Sequence, residues 1–273
     1  MKVEQAKQIA SNAIEQLRQA LEAGHSERLK EYLAAMAGFR RYSWGNVLLI
    51  ASQKPNTTHV AGFQAWHKLG RFVKKGEKGI LILAPIIRKK AENNDGTEPD
   101  ESSVAVGFCA AYVFDISQTD GQPLPEIGSV NGDPRHYRER LAKFVAEQGI
   151  ALEYSDEIAP ARGTSSRGKI TLLSGQPPAE EFATLAHEIA HEMMHRDERR
   201  SSTTKRIRET EAEAVAFVVC SAIGLETGSA AQDYIGLYGG DANLLSESLE
   251  YVQRTATQIL NVIGADDSSA PPV

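Results

Sequence analysis

The chain has 273 residues, of which 41% are hydrophobic and 24% are charged, and its formal net charge is −6. These proportions are ordinary for a soluble globular protein. No apolar run approaches the length that spans a bilayer, and the first residues lack the hydrophobic region of a signal peptide. The two cysteines, Cys109 and Cys220, exclude a disulfide framework, so we expect buried thiols and a cytoplasmic location.

The first third of the chain predicts helices followed by a pair of strands. Apolar residues keep helical spacing over the first 37 residues, where Gly24 separates two helices. An aromatic turn leads into a short apolar helix at 46–52, and 63–69 is also predicted to be helical. A strand is predicted at 80–87, where Pro85 indicates an edge or a bulge. Its predicted partner strand occupies 104–114.

The charge of this region is unusual. Between Gly38 and Lys90 there are eleven Lys or Arg residues and one acid, Glu77, which gives a local charge of +10. The same segment holds both tryptophans and four more aromatic residues. Basic residues that follow phosphates, combined with aromatic faces that stack on bases, are typical of single-stranded DNA binding. The alternative is that the aromatic residues are core, as expected for Phe63 and Trp66, and that the basic residues merely face solvent.

The rest of the chain predicts a second unit. Residues 118–134 are rich in Gly, Pro and Asp and indicate a linker. A helix at 135–148, strands at 150–154 and 169–173, and a turn at 163–168 follow. Helices are then predicted at 180–194 and 208–224, with a last helical pair within 234–260. Tyr234 in that pair could stabilise an oxyanion, although a packing role is the alternative.

The most specific chemistry lies in His187-Glu188-Ile189-Ala190-His191. Residues four apart share one face of a helix, so both imidazoles can reach one ion. Glu188 can then accept the proton of the ion's water as that water attacks a carbonyl, as in zinc metallopeptidases. The alternative is an ordinary amphipathic helix that happens to carry two histidines.

Three glutamates on the following helix are candidates for a third ligand. At about 100° per residue, Glu209 falls roughly 60° from the centre of the buried face, and Glu211 and Glu213 each fall roughly 100° away. A carboxylate at a core-facing edge is costly unless it pairs or binds metal, so Glu209 is the first choice. Glu213 could orient a histidine from behind, and Glu211 ranks last. His195, about 12 Å from His187 along the axis, is expected to interact with the helix dipole instead.

These motifs together resemble the ArdC-type antirestriction proteins of conjugative plasmids and integrative elements. The segments that carry the resemblance are Tyr42-Ser43-Trp44-Gly45-Asn46, Gly62-Phe63-Gln64-Ala65-Trp66, Lys75-Gly76-Glu77-Lys78-Gly79, Tyr112-Val113-Phe114-Asp115, His187 to His191, and Glu209-Thr210-Glu211-Ala212-Glu213. The resemblance implies an N-terminal single-stranded-DNA-binding domain and a C-terminal zincin-like metallopeptidase domain. The peptidase half is also similar to the ImmA/IrrE group, which cleaves regulatory proteins. Glu209 and Glu213 resemble the Glu-x-x-x-Asp pair of some related zincins, with Glu in place of Asp.

We therefore expect an α+β protein in which a small mixed α/β domain that binds single-stranded DNA (1–117) is followed by a linker (118–134), a zincin-like domain (135–264) and a disordered tail (265–273). His187, His191 and Glu209 are the predicted ligands of Zn²⁺, or of another divalent ion such as Mn²⁺. Glu188 is the predicted catalytic base. The predicted DNA-binding residues are Arg40, Arg41, Trp44, Arg71, Lys74, Lys75 and Lys78.

The expected partners are single-stranded DNA and an unknown protein substrate, with no membrane. Two other functions stay open from the sequence. The protein could coat single-stranded DNA without proteolysis, using the metal only to hold the fold. It could also be an ImmA/IrrE-like protease of a regulator, whose basic segment binds a protein.

Overall fold

The computed structural model describes residues 2–25, 27–89, 103–122, 134–225 and 241–264. Its helices are α1 (Lys2–Glu22), α2 (Glu27–Gly38), α3 (Trp44–Gln53), α4 (Phe63–Lys68), α5 (Arg135–Glu147), α6 (Pro178–Met194), α7 (Asp197–Ser202), α8 (Lys205–Ala222) and α9 (Ala242–Ile263). Its strands are β1 (Val60–Gly62), β2 (Arg71–Val73), β3 (Ile80–Lys89), β4 (Ser103–Asp115), β5 (Thr119–Gly121), β6 (Ala151–Tyr154), β7 (Gly163–Ser165) and β8 (Lys169–Leu172). Helices and separate small sheets confirm the α+β class. Tyr234 and the predicted tail lie outside the described residues.

The N-terminal sheet has the order β1–β4–β3, and its neighbours are antiparallel. Pro85 lies in edge strand β3, and the register shifts just after it, as the sequence predicts. Helix α3 covers the outer edge of β3 with two side-chain amides. Asn46 bonds both the C=O and the N–H of Leu83 at 2.8 and 2.9 Å, and Gln53 bonds those of Leu81 at 2.8 and 3.0 Å. The seven-residue spacing places both amides on one face of α3.

A second, two-stranded ribbon pairs β2 with β5 in antiparallel register, from Arg71 opposite Gly121 to Val73 opposite Thr119. Strand β5 uses residues that the sequence assigns to the start of the linker, while 123–133 lie outside the described residues. The ribbon follows α4 directly, because Leu69 and Gly70 turn the chain from α4 into β2. Helix α4 and the ribbon therefore pack together as one unit of the N-terminal half.

The C-terminal sheet has the order β6–β8–β7, with β6 parallel to β8 and β7 antiparallel to it. Residues 163–165, predicted as part of a turn, instead form edge strand β7. The sheet buries Ile170 and Leu172 against the core, to which α6 contributes Phe182 and Leu185. Strand β7 packs along α6 and so lies beside the His-Glu-x-x-His motif.

The two halves share one hydrophobic core. Helix α2 packs on α8, and α9 contacts α1, α3, α5, α6 and α8. Leu29 and Leu33 of α2 belong to the same buried cluster as Val215 and Val219 of α8. Within the described residues, no helix combines the length and apolar character needed to cross a membrane. The core is therefore continuous from the basic N-terminal segment to the helices that carry the metal motif.

Candidate metal centre and basic surface

Helix α6 begins where the sequence favours a helix start, with Pro178 in the first turn followed by Glu180 and Glu181. Its apolar stripe, including Phe182 and Ile189, is buried in the core. This orientation turns His187 and His191 toward the start of α8. Short helix α7 reverses the chain between α6 and α8, so the two long helices pack side by side.

His187, His191 and Glu209 bring three donor atoms to one point. The Nε2 atoms of His187 and His191 are 3.1 Å apart, and Glu209 Oε2 lies 3.6 Å from the first and 3.5 Å from the second. Ligands that surround a zinc-sized ion tetrahedrally at ~2.0–2.1 Å are themselves ~3.3–3.4 Å apart. The two imidazoles and the carboxylate therefore fit a divalent ion. Glu211 and Glu213 take other positions.

The charged groups around His187 are those expected around a metal-binding histidine. Glu213 Oε2 lies 3.3 Å from His187 Nδ1, on the side of the ring away from Glu209. Burial alone would lower the pKa of His187, but hydrogen bonds to Glu209 and Glu213 outweigh it and raise the pKa to about 9. Hydrogen bonds from His187 and His191 hold the pKa of Glu209 well below its usual range. Without metal, a proton on His187 therefore balances the carboxylates.

Glu188 packs against Gly163 of β7. Its side chain is buried, and a Cβ placed on Gly163 would lie only 2.9 Å from Glu188 Oε1. Glu188 lines a cleft of about 580 Å³. Other residues that line it are Gly163, Thr184, His187, Glu209, Glu213 and Phe217. The cleft gives an outside molecule access to two of the proposed ligands, His187 and Glu209, and to the carboxylate of Glu188.

His195 has a different role from the one expected. It is 2% exposed, and its Nδ1 lies 3.0 Å from Nδ1 of His191. Burial lowers its pKa despite the neighbouring Glu211, which favours the neutral imidazole over the charged form that a charge–dipole interaction needs. Glu211, ranked last for the metal, is fully buried and accepts a hydrogen bond from His195 Nε2 at 2.8 Å. Sequence spacing alone does not signal this pairing.

The predicted DNA-binding residues divide into several environments. Trp44 is 4% exposed and packs edge-on against Tyr32, so in this structure it offers no face for stacking, and the expectation for it is corrected. Arg71 is also buried, and its guanidinium donates hydrogen bonds to the side chain and to the backbone carbonyl of Thr119. Arg40 is half-buried and donates to the carbonyl of Leu260 at 3.4 Å.

The other predicted basic residues, Arg41, Lys74, Lys75 and Lys78, are exposed. Lys74 donates to the carbonyl of Ser117 at 3.0 Å. Two aromatic residues that the sequence did not select are also exposed: Phe63 on α4, 60% exposed and expected in the core, and Phe72 on β2, 57% exposed. Trp66, in contrast, is buried as predicted. The one-sided burial of the β2 ribbon, which no local pattern reveals, exposes Phe72.

Comparison with known proteins shows which proteins this chain is similar to. Residues 4–114 match the model of the N-terminal domain of anti-restriction factor ArdC. The crystal structure of the metal-free antirestriction ArdC protein from the R388 plasmid superposes with a TM-score of 0.50 at 25% identity, over 81% of this chain and 84% of that one. The N-terminal part of the chain thus resembles the ArdC N-terminal domain, and the chain as a whole is similar in fold to ArdC. This confirms the resemblance to ArdC, while the peptidase character of the C-terminal half stays a prediction.

Two further relatives extend the comparison. The Mn(II)-bound structure of R388 ArdC has the same fold, with a TM-score of 0.51 and 21% identity over 90% of this chain and 98% of that one. The Bacillus anthracis protein named pXO2-81 is 27% identical over 87% of this chain. The chain spans about half of that relative's length, 48%.

Proposed function

We propose that this antirestriction ArdC-like protein is a metal-dependent peptidase whose N-terminal half binds single-stranded DNA. The observation that carries the peptidase assignment is the convergence of His187, His191 and Glu209 beside a buried Glu188 in an open cleft. A structural metal site has a closed ligand set, whereas three protein ligands and an accessible fourth position are typical of catalytic sites. Zn²⁺ is the proposed ion, with Mn²⁺ as the alternative, since the R388 relative binds Mn(II).

The residues of the cleft suit peptide hydrolysis. A divalent ion bound here supplies a Lewis acid and lowers the pKa of water at the site. Glu188 accepts a proton from the water that attacks the peptide carbonyl, and returns it to the amine when the C–N bond breaks. His187 and His191 hold the ion, and Glu213 holds the first of these rings from behind.

Edge strand β7 supplies a track for the substrate. It pairs with β8 on one side only among the described strands, and Gly163 brings its backbone against Glu188. An extended peptide could add to this free edge, so that main-chain hydrogen bonds present one carbonyl to the cleft. We therefore propose an unfolded or flexible segment of a protein as the substrate.

The decisive experiment compares wild type with Glu188→Gln, each loaded with Zn²⁺ or Mn²⁺, on fluorescently labelled reduced casein. The variant should lose cleavage and retain metal, because the amide keeps the shape of the side chain but cannot accept a proton. Glu180→Gln at the rim of the cleft, where Glu180 pairs with Arg162 at 3.1 Å, is the matched control and should cleave normally. Cleavage by Glu188→Gln at the wild-type rate would refute the assignment.

The same variant separates the alternatives. If antirestriction in cells survives Glu188→Gln intact, the protein acts as a non-proteolytic coat of single-stranded DNA. Elemental analysis of wild type against His187→Ala identifies the metal and tests the ligand set. Wild-type protein without a divalent ion would refute the metal centre.

Exposed Phe63 and Phe72 favour the α4–β2 unit as the DNA-binding surface. Lys68, Lys75 and Lys78 are exposed on or near the same unit and can follow the phosphates. We propose this surface in place of buried Trp44 and Arg71. Phe72→Ala should weaken binding of a labelled single-stranded oligonucleotide about 5- to 150-fold, since one stacked base contributes ~1–3 kcal/mol.

Tyr154→Ala is the matched control for DNA binding, because Tyr154 is an exposed aromatic residue of the C-terminal half. It should leave the affinity unchanged. Gel-shift titrations at several salt concentrations should show affinity that falls steeply with salt. Weak, salt-insensitive binding to both single- and double-stranded DNA would instead indicate that the basic segment binds a protein, as in a protease of regulators.

A further inference from the structure

A buried chain of hydrogen bonds runs from the proposed metal centre into the interior. His195 follows His191 by one turn of α6, and their Nδ1 atoms are 3.0 Å apart. Nε2 of His195 lies 2.8 Å from Glu211 Oε2 on α8. The side chains of His195 and Glu211 are 0% and 1% exposed. The hydrogen bonds thus connect His191, a proposed metal ligand, with the buried side chains of His195 and Glu211.

The geometry gives each proton of the chain a fixed place. Nε2 of His191 faces Glu209 and His187, so its lone pair is directed to the metal position and its proton resides on Nδ1. Nδ1–H of His191 then donates to His195 Nδ1. His195 must carry its own proton on Nε2, where it donates to Glu211. A single set of tautomers satisfies every bond.

Glu211 is fixed in turn by two other helices. Its Oε1 accepts hydrogen bonds from Arg199 of α7 and from Ser248 of α9, each at 2.6 Å. A buried carboxylate is unfavourable unless it is paired and hydrogen-bonded, and here each of its oxygens has a donor. Arg199 also lies over the ring of Tyr251, 3.5 Å from its centroid. The Glu211 end of this chain of hydrogen bonds is therefore held by α7, α8 and α9 together.

We propose that His195 and Glu211 are positioning residues that fix the tautomer and ring orientation of His191 for metal binding. The inference rests on the proposed metal centre and deepens it. The two ligand histidines are supported differently. His187 is held by Glu213, whose side chain is 50% exposed, whereas His191 is held by a dry imidazole–carboxylate pair. Partners of this kind typically change metal affinity 10- to 100-fold when they are removed.

The test measures Mn²⁺ affinity by electron paramagnetic resonance of the free ion, on wild type, His195→Ala, His195→Gln and Glu211→Gln. His195→Ala should bind Mn²⁺ 10- to 100-fold more weakly. His195→Gln should recover part of the loss, because an amide oxygen can accept the Nδ1–H of His191. Glu211→Gln should fall between wild type and His195→Ala.

Glu192→Gln is the matched control. Glu192 is a buried carboxylate of the same helix, next to His191 in sequence, but it accepts from the N–H of Gly168 at 2.9 Å and from Arg196 at 3.0 Å. Its substitution removes the same charge without touching the chain of hydrogen bonds, so Mn²⁺ affinity should stay within about threefold of wild type. Thermal unfolding of each metal-free variant separates loss of fold from loss of affinity.

The outcomes are distinguishable. If wild type binds Mn²⁺ and all four variants match it, the positioning role is wrong and the metal centre stands. An equal loss in Glu192→Gln and His195→Gln would also overturn the positioning role. If His195→Ala does not fold, His195→Gln and Glu211→Gln decide the question by the same measure. Wild type that binds no Mn²⁺ or Zn²⁺ would overturn both proposals.

Discussion

Gly163→Ala tests whether β7 packs directly on the proposed catalytic carboxylate. A Cβ at this position would lie 2.6 Å from Thr184 Cγ2 and 2.9 Å from Glu188 Oε1. Ordinary contacts begin at 3.4 Å. The added methyl group must therefore move β7 away from α6, or displace Glu188, by roughly 1 Å. Both neighbours belong to a densely packed helix, so the space cannot be found without strain.

The expected magnitude follows from this overlap. Overpacking a tight site costs ~1–3 kcal/mol, which should appear as a lower free energy of unfolding in urea. Gly107→Ala on β4 is the matched control, because its added Cβ would meet only Ile86 Cδ1 at 3.9 Å. That substitution should leave the free energy unchanged or raise it by up to ~1 kcal/mol, through the lower entropy of the unfolded chain.

A second readout is casein cleavage by the metal-loaded protein. A misplacement of about 1 Å at a reacting group can lower the rate ~10²-fold, so Gly163→Ala should lose most activity while keeping its metal. Equal unfolding free energies for Gly163→Ala and Gly107→Ala would refute the packing of β7 on Glu188. Full cleavage by Gly163→Ala would refute the placement of Glu188 as the base.

Three further predictions concern burial and charge. Trp44→Ala should lower the free energy of unfolding by ~3–5 kcal/mol, as expected for a large core side chain. Phe72→Ala should leave the urea midpoint nearly unchanged, because Phe72 is exposed. Equal effects of the two substitutions would contradict the burial assigned to these residues. Ellman's reagent should titrate one thiol in the native protein and two in denaturant, since Cys109 is exposed while burial raises the pKa of Cys220 to about 12. Fast reaction of both thiols in the native protein would contradict this prediction. The raised pKa of His187 stabilises the metal-free fold below pH 6.5, and this contribution is lost as the pH rises toward about 9. Over that window the stability of the metal-free protein should therefore fall, and its Mn²⁺ affinity should rise. The same pH dependence in His187→Gln would refute this role of His187.

The long helices could be predicted from sequence because their signals are local. Apolar spacing and proline placement give α6 to within about two residues, and the angular position of Glu209 on α8 places it at the edge that faces α6. The cysteines show the limit of this approach: Cys220 is buried as expected, whereas Cys109, in an equally apolar stretch, is exposed. Apolar neighbours in sequence do not determine which face of β4 a residue occupies.

The three-residue strands could not be predicted, because each depends on a distant partner. β2, β5 and β7 have three residues each and are defined by pairing with β5, β2 and β8. For the same reason, the contacts that position His191 could not be predicted. His195 and Glu211 are 16 residues apart and meet only because α7 turns the chain between two long helices. Likewise, the number of aromatic residues does not reveal that Trp44 faces the core.

The amides of Asn46 and Gln53 have a consequence for association between molecules. An edge strand usually offers a row of free N–H and C=O groups that can recruit a strand of another chain. Because the peptide groups of Leu81 and Leu83 are already bonded to α3, that stretch of β3 cannot extend its sheet into a neighbouring copy. The helix therefore protects a strongly apolar strand against edge-to-edge aggregation.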